Sequence, residues 1–283
     1  MNFLQATVLG IIQGLTEFLP ISSTAHLRII PALFGWSDPG AAFTAVIQIG
    51  TLVAVLLYFA KDILVISKAF VRGVVTLKPF EERNSQLGWM IGVGTIPIVA
   101  CGLLFKDSIE TTLRSIYVIA ASMIVLALVL MWAEMVTKRR AARNEKLKTV
   151  ETLGWWDVIL VGMAQAVALI PGSSRSGTTI TGGLFVGMNR ETAARFSFLL
   201  SLPSVFAAGV YEMVKEREAL MSTDVGMVNL IIATVVSGIV GYLSIAFLLN
   251  YLRKHTTYLF IIYRLVVGVV LIGLVAGGVI PNL

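Results

Sequence analysis

The chain has little charge. Of its 283 residues only 13% are charged, while 57% are hydrophobic. A soluble domain of this length carries about twice that charged fraction. No polar stretch is long enough to form a separate soluble domain; the longest runs over residues 137–152. There is one cysteine, Cys101, which excludes a disulfide framework or a thiolate metal site and leaves a plain buried thiol as its expected role. Histidine is almost absent, with only His26 and His255. The first residues lack the basic stretch of a signal peptide, and Gln5, Gln13 and Glu17 interrupt the apolar run, so this segment is expected to be retained.

Long apolar runs are present instead. Six are near the roughly 20 residues needed to cross a bilayer: 41–60, 87–105, 117–136, 192–211, 226–249 and 258–279. The net charge of +6 raises the question of nucleic acid. However, the basic residues fall between apolar segments and form no basic face, so nucleic acid is excluded as a partner. Placing the N-terminus outside puts thirteen Lys or Arg in the inner loops 61–86, 137–154 and 250–257, against four in the outer loops 106–116 and 212–225. The positive-inside rule then predicts both termini outside.

Two further apolar stretches are short and broken. Residues 3–19 end at Pro20, and residues 155–170 end at Pro171. Each gives way to hydroxyl and glycine residues and then to a second short apolar piece. Irregular backbone at membrane depth survives only where protein buries it or a wet cavity adjoins it. The expected fold is therefore all-α and polytopic: six transmembrane helices plus two re-entrant helical hairpins in an inverted-topology repeat, the first repeat over 1–150 and the second over 151–283. Aligning Pro20-Ile21-Ser22-Ser23 with Pro171-Gly172-Ser173-Ser174 sets the register of that repeat. Three spans per half would bring the two hairpins in from opposite faces.

The polar residues of these breaks carry the chemistry. Gln13 and Glu17 lie four apart, on one helix face, and a carboxylate at membrane depth is a functional candidate by default. Ser22, Ser23 and Thr24 either cap the next helix or serve as phosphate ligands and nucleophile. His26 follows closely and is a candidate base, whereas His255 sits in a basic inner loop. In the second break, Gly172 and Gly177 permit a tight backbone curve whose amides hold an anion. Ser173, Ser174, Ser176 and Thr179 add donors, and Arg175 offers a fork matched to phosphate oxygens. Arg264, alone in the last span, needs a partner, for which Glu17 and Glu134 are the candidates. Gly10 and Gly14 suggest close helix packing.

The run Gln13-Gly14-Leu15-Thr16-Glu17-Phe18-Leu19-Pro20-Ile21-Ser22-Ser23-Thr24-Ala25-His26, with Pro171 to Thr179, resembles the two signature regions of the undecaprenyl-diphosphate phosphatase family, bacterial enzymes linked to bacitracin resistance. The likeness covers essentially the whole chain. It implies removal of the terminal phosphate of undecaprenyl diphosphate, a polyprenyl lipid, for cell-wall synthesis in the bacterial inner membrane. It also implies a divalent cation, Mg²⁺ or Ca²⁺, with Glu17 as its ligand, and it admits a homodimer. Glu17, Ser23, His26, Ser174, Arg175 and Thr179 occupy family motif positions. The family allows Glu or Gln at position 13, and Gln13 here removes a second carboxylate. Ser23 is the favoured nucleophile, with a His26 phosphohistidine or direct attack by water as the alternatives. The rival functions are a polyprenyl-phosphate transporter or flippase, and a structural scaffold. A carrier needs an anion site but no base and hydroxyl beside it, and a scaffold leaves Glu17, Arg175 and Arg264 without a purpose.

Overall fold

A computed structural model describes residues 1–215, 226–280 and 282. Among these the chain is helical and contains no strand. The helices are α1 (Phe3–Phe18), α2 (Ser23–Phe34), α3 (Gly40–Tyr58), α4 (Ala60–Val75), α5 (Arg83–Leu104), the short α6 (Lys106–Glu110), α7 (Ile116–Ala142), α8 (Trp155–Val167), α9 (Arg175–Phe185), α10 (Arg190–Lys215), α11 (Met227–Lys254) and α12 (Tyr258–Ala276). Five of them, α5, α7, α10, α11 and α12, are long and apolar enough to cross a membrane. A sixth span arises if α3 and α4 are counted as one, bent by 77°. The expected span 41–60 thus matches α3, but the expected inner loop 61–86 is largely the helix α4. Its Ile63, Ile66 and Phe70 recur at helical spacing and border a groove against α5 and α10. Most of the expected outer loop 212–225 lies outside the described residues.

Both breaks form where the sequence places them. A capping box opens α1: Gln5 N–H donates to Asn2 Oδ1 at 2.9 Å, and Asn2 N–H donates to Gln5 Oε1 at 3.0 Å. The helix stops before Pro20, as the backbone restriction on a residue preceding proline requires. α2 then starts on Ser22, and α9 starts on Ser174. These two serines share an unusual backbone, with φ 76°, ψ 102° and φ 67°, ψ 112°. Each side chain caps the helix it precedes, accepting from Ala25 N–H and Gly177 N–H respectively. The two caps that share this geometry, Ser22 and Ser174, stand one residue out of the Pro20–Pro171 alignment. The shift also pairs Gly10 with Gly162, Gln13 with Gln165 and Ser23 with Arg175.

The halves interlock. α1 packs along α11, and α8 packs along α5. Glycine permits both approaches: a Cβ at Gly10 would stand 2.6 Å from the Ala233 carbonyl, and one at Gly162 would collide with the Gly94 carbonyl. Gly14 likewise meets α11, which confirms the expected close packing. α9 is enclosed by α7, α8 and α10, so its residues from Ser176 to Leu184 are all buried. Cys101 is only half-buried, against expectation.

Away from the breaks, ion pairs bind the basic connections. Glu134 is fully buried, pairs with Arg190 and accepts from the Thr257 hydroxyl at 2.9 Å. Arg83 donates to the Val150 and Leu153 carbonyls, Arg253 pairs with Glu191, and Arg195 with Asp62. The chain ends meet other elements: Asn229 donates to the Met1 carbonyl, and Ser115 donates to Asn282.

Candidate active site

Glu17 stands at the end of α1, just before the chain breaks, and each of its carboxylate oxygens accepts two hydrogen bonds. Gln13 Nε2 and Ser23 Oγ donate to Oε2 at 3.1 and 2.8 Å. Gln48 Nε2 and Arg175 Nη2 donate to Oε1 at 3.1 and 2.9 Å. Four helices, α1, α2, α3 and α9, therefore converge on one carboxylate, two of them starting at the breaks. The Glu17 side chain is 10% exposed and that of Arg175 21%. The pair is thus largely removed from water, where its attraction is little screened.

The second break supplies the other wall. Gly172 has φ 89°, and a Cβ there would strike Ser122 and the Ile119 carbonyl, so only glycine fits. Ser174 and Ser176 hydroxyls lie 3.1 Å apart, and Ser176 donates across to the Leu19 carbonyl of the first break at 3.2 Å. Thr179 is further down α9: it donates to the Arg175 carbonyl at 2.7 Å and makes a short bond to Ser197. Thr179 therefore holds the first turn of α9 instead of reaching into the cavity. Ser173 is fully buried, with no hydrogen-bond partner for its hydroxyl.

A small polar cavity of about 60 Å³ lies where the breaks meet. Glu17, Ser22, Ser23 and Thr24 border it from one side, and Gly172, Ser174 and Arg175 from the other. A second cavity also borders the Glu17–Arg175 pair; its α3 and α10 lining combines Leu52, Val55, Phe198, Leu202 and Val205 with Thr51, Ser197 and Ser201. The start of α9, with its positive dipole end, points into the same region as Arg175.

Arg264 departs from expectation. It is fully buried and pairs with neither Glu17 nor Glu134, which are taken by Arg175 and Arg190. Its guanidinium donates instead to four carbonyls: Met123, Ser122, Gly172 and Pro20, at 3.2 to 3.4 Å. Helix breaks leave carbonyls unpaired, and one cation satisfies a carbonyl from each break here.

His26 faces away from Ser23. Its Nδ1 lies 2.7 Å from the Ser22 carbonyl and its Nε2 2.7 Å from the Tyr263 hydroxyl. A carbonyl only accepts, so Nδ1 carries the hydrogen and Nε2 accepts from Tyr263. Both nitrogens are occupied, and the group hydrogen-bonded to Ser23 is Glu17.

Among the described residues no three His, Cys, Asp or Glu side chains cluster as a metal site. A cation would rely on Glu17 and on Gln13 Oε1, which is buried beside it and has no hydrogen-bond partner. Both are hard oxygen donors suited to Mg²⁺ or Ca²⁺, and a diphosphate would complete the shell.

Sequence reasoning missed Gln48 and Tyr263 as members of the site. A lone amide inside the apolar run 41–60 was the available signal for Gln48, since buried amides seek partners. Tyr263 gave no signal, because tyrosine is common near membrane surfaces.

Similarity to known proteins agrees with this arrangement. A sequence model of the family described as Bacitracin resistance protein BacA matches residues 6–270. An undecaprenyl-diphosphatase of Chloroherpeton thalassium is 64% identical over 98% of this chain and 98% of its own length. Another, of Chlorobaculum tepidum, is 63% identical over 98% of this chain and 99% of its own length. An undecaprenyl-diphosphatase of Chlorobium phaeobacteroides is 60% identical over the same shares. With nearly its whole length matched, this chain belongs to the bacitracin resistance protein BacA family.

Proposed function

We propose that this membrane enzyme hydrolyses undecaprenyl diphosphate to undecaprenyl phosphate and inorganic phosphate, returning the lipid carrier to cell-wall synthesis. The observation that carries the reading is the Ser23–Glu17–Arg175 constellation, built from both helix breaks and bordering one polar cavity. The names of the relatives point the same way.

The chemistry follows from the contacts. Glu17 Oε2 lies 2.8 Å from Ser23 Oγ, within reach for taking its proton. Ser23 Oγ attacks the terminal phosphorus, the bond from that phosphorus to the bridging oxygen breaks, and undecaprenyl phosphate leaves. Glu17 passes that proton to the bridging oxygen of the departing undecaprenyl phosphate. Water then attacks the phosphoserine and gives a proton to Glu17, the bond from phosphorus to Ser23 Oγ breaks, inorganic phosphate leaves, and Glu17 returns the proton to Ser23 Oγ. Arg175 and the first amides of α9 hold the phosphate oxygens as charge develops. Ser22, Ser174 and Ser176 keep the two breaks in register, and Ser173 offers an unpaired hydroxyl. His26 braces the Ser22 carbonyl, and so holds the turn that aims Ser23 at Glu17. A bound Mg²⁺ or Ca²⁺, held by Glu17 and Gln13, would offset the negative charge of the diphosphate.

The same reading places the chain in the bacterial inner membrane, with both termini outside and the two halves inverted. The basic inner connections and the matched Ser22 and Ser174 caps support that arrangement. A flippase would need the anion site alone, whereas a serine bonded to a carboxylate favours chemistry. The test is phosphate release from detergent-solubilised undecaprenyl diphosphate, with and without a chelator. Release that stops on chelation and returns with Mg²⁺ or Ca²⁺ is expected. No release under any condition would leave the transporter reading standing.

A further inference from the structure

The Glu17–Arg175 pair borders two cavities of opposite character. On one side are the hydroxyls of Ser22, Ser23 and Thr24. On the other, Leu52, Val55, Phe198, Leu202 and Val205 make a mostly apolar lining, in which Thr51, Ser176, Ser197 and Ser201 are interspersed. A diphosphate with its terminal phosphorus at Ser23 would carry its second phosphate past Arg175 and direct its carbon chain at that apolar wall.

Leu202 belongs to both this wall and a larger groove. That groove, of about 370 Å³, runs between α4, α5 and α10, and Ile63, Ile66, Phe70, Ile91 and Leu199 border it. Its size falls in the range of about 300–1,000 Å³ usual for small-molecule sites. We infer that this groove receives the isoprenoid chain of the substrate, which leaves the site over Leu202 and lies against α4. The inference rests on the lipid-diphosphatase reading above and adds to it the path of the tail.

The alternative path is the groove of about 490 Å³ between α3 and α11, bordered by Gly50, Val53, Leu57 and Val235. It shares no residue with either cavity beside Glu17. α3 separates them, turning Thr51, Leu52 and Val55 toward the site and Gly50, Val53 and Leu57 outward. A chain leaving the site would have to pass through that helix. The route over Leu202 needs no such passage.

The test compares undecaprenyl diphosphate with farnesyl diphosphate, whose short chain stops near Leu202. Ser67 and Val71 border the groove with exposed side chains, so Ser67→Trp and Val71→Trp fill it without disturbing the core. In both variants kcat/KM for the long substrate relative to the short one should fall at least about tenfold, because remote binding energy is lost only for the long chain. Val235→Trp fills the other groove and should leave that ratio as in the unaltered protein. An unchanged ratio in both α4 variants, or a fall in Val235→Trp instead, would overturn the inference. If the unaltered protein released phosphate from neither lipid, the functional reading itself would fail, and the tail path with it.

Discussion

The two helix breaks share a backbone and differ in what they present. Ser22 and Ser174 have nearly the same conformation and cap α2 and α9 alike. In that register Ser23 corresponds to Arg175, and Glu17 to Leu169. The first break thus holds the carboxylate and the hydroxyl bonded to it, and the second holds the cation and the amides. Burial follows the same division. α9 is enclosed on its sides, while α2 ends in exposed Leu33 and Phe34. A helix start buried among other helices makes a fixed anion site, since its amides cannot reorganise. In the first break Ser22 is buried while Ser23 is half-buried and borders the cavity, so its hydroxyl is open to it.

The comparison can be broken one residue at a time. Ser23→Ala should have the largest effect, a loss of at least about a thousandfold in kcat, as expected for a covalent nucleophile. Phosphate release above about a tenth of the normal rate would exclude that role. Arg175→Lys keeps the charge but loses the planar fork, and should lower kcat/KM by about a hundredfold. Near-normal turnover would show that charge alone suffices. Gln48→Leu removes one of four donors to Glu17 and should cost about tenfold in kcat, the worth of roughly one hydrogen bond to a charged group. An unchanged rate would mean that the other three donors fix the carboxylate without it. Tyr263→Phe should cost the least, a few-fold, because Nδ1 still holds the Ser22 carbonyl. A loss as large as that of Ser23→Ala would make the tyrosine part of the chemistry.

Much of this was legible in the sequence because the breaks are written in proline, glycine and hydroxyl residues. Pro20 and Pro171 marked the ends of α1 and of the segment after α8. The sequence singles out Glu17, Ser23 and Arg175, and the structure brings the three together; His26, the candidate base, is turned to Ser22 and Tyr263 instead. The Pro20–Pro171 alignment sets Ser22 opposite Ser173, whereas the serines with the same backbone and capping role are Ser22 and Ser174, one residue apart from it. The partners of Arg264 were hidden for a related reason. They are backbone carbonyls exposed by the breaks, and sequence patterns do not show which carbonyls a fold leaves unpaired. α4 was taken as loop because its basic residues suggested only a charged connection, although Ile63, Ile66 and Phe70 carry a helical stripe. Gln48 reaches Glu17 from another helix, 31 residues along the chain, so no local spacing reveals it.

The central claim is a division of labour: the first break performs the chemistry and the second holds the anion. Equilibrium binding of undecaprenyl diphosphate to Ser23→Ala and Arg175→Ala, measured in the same detergent, tests it most directly. Ser23→Ala should bind within a few-fold of the unaltered protein while failing to release phosphate, and Arg175→Ala should bind at least about tenfold more weakly, through loss of a charge-assisted phosphate contact. Equal weakening in both variants, or weakening in Ser23→Ala alone, would contradict it.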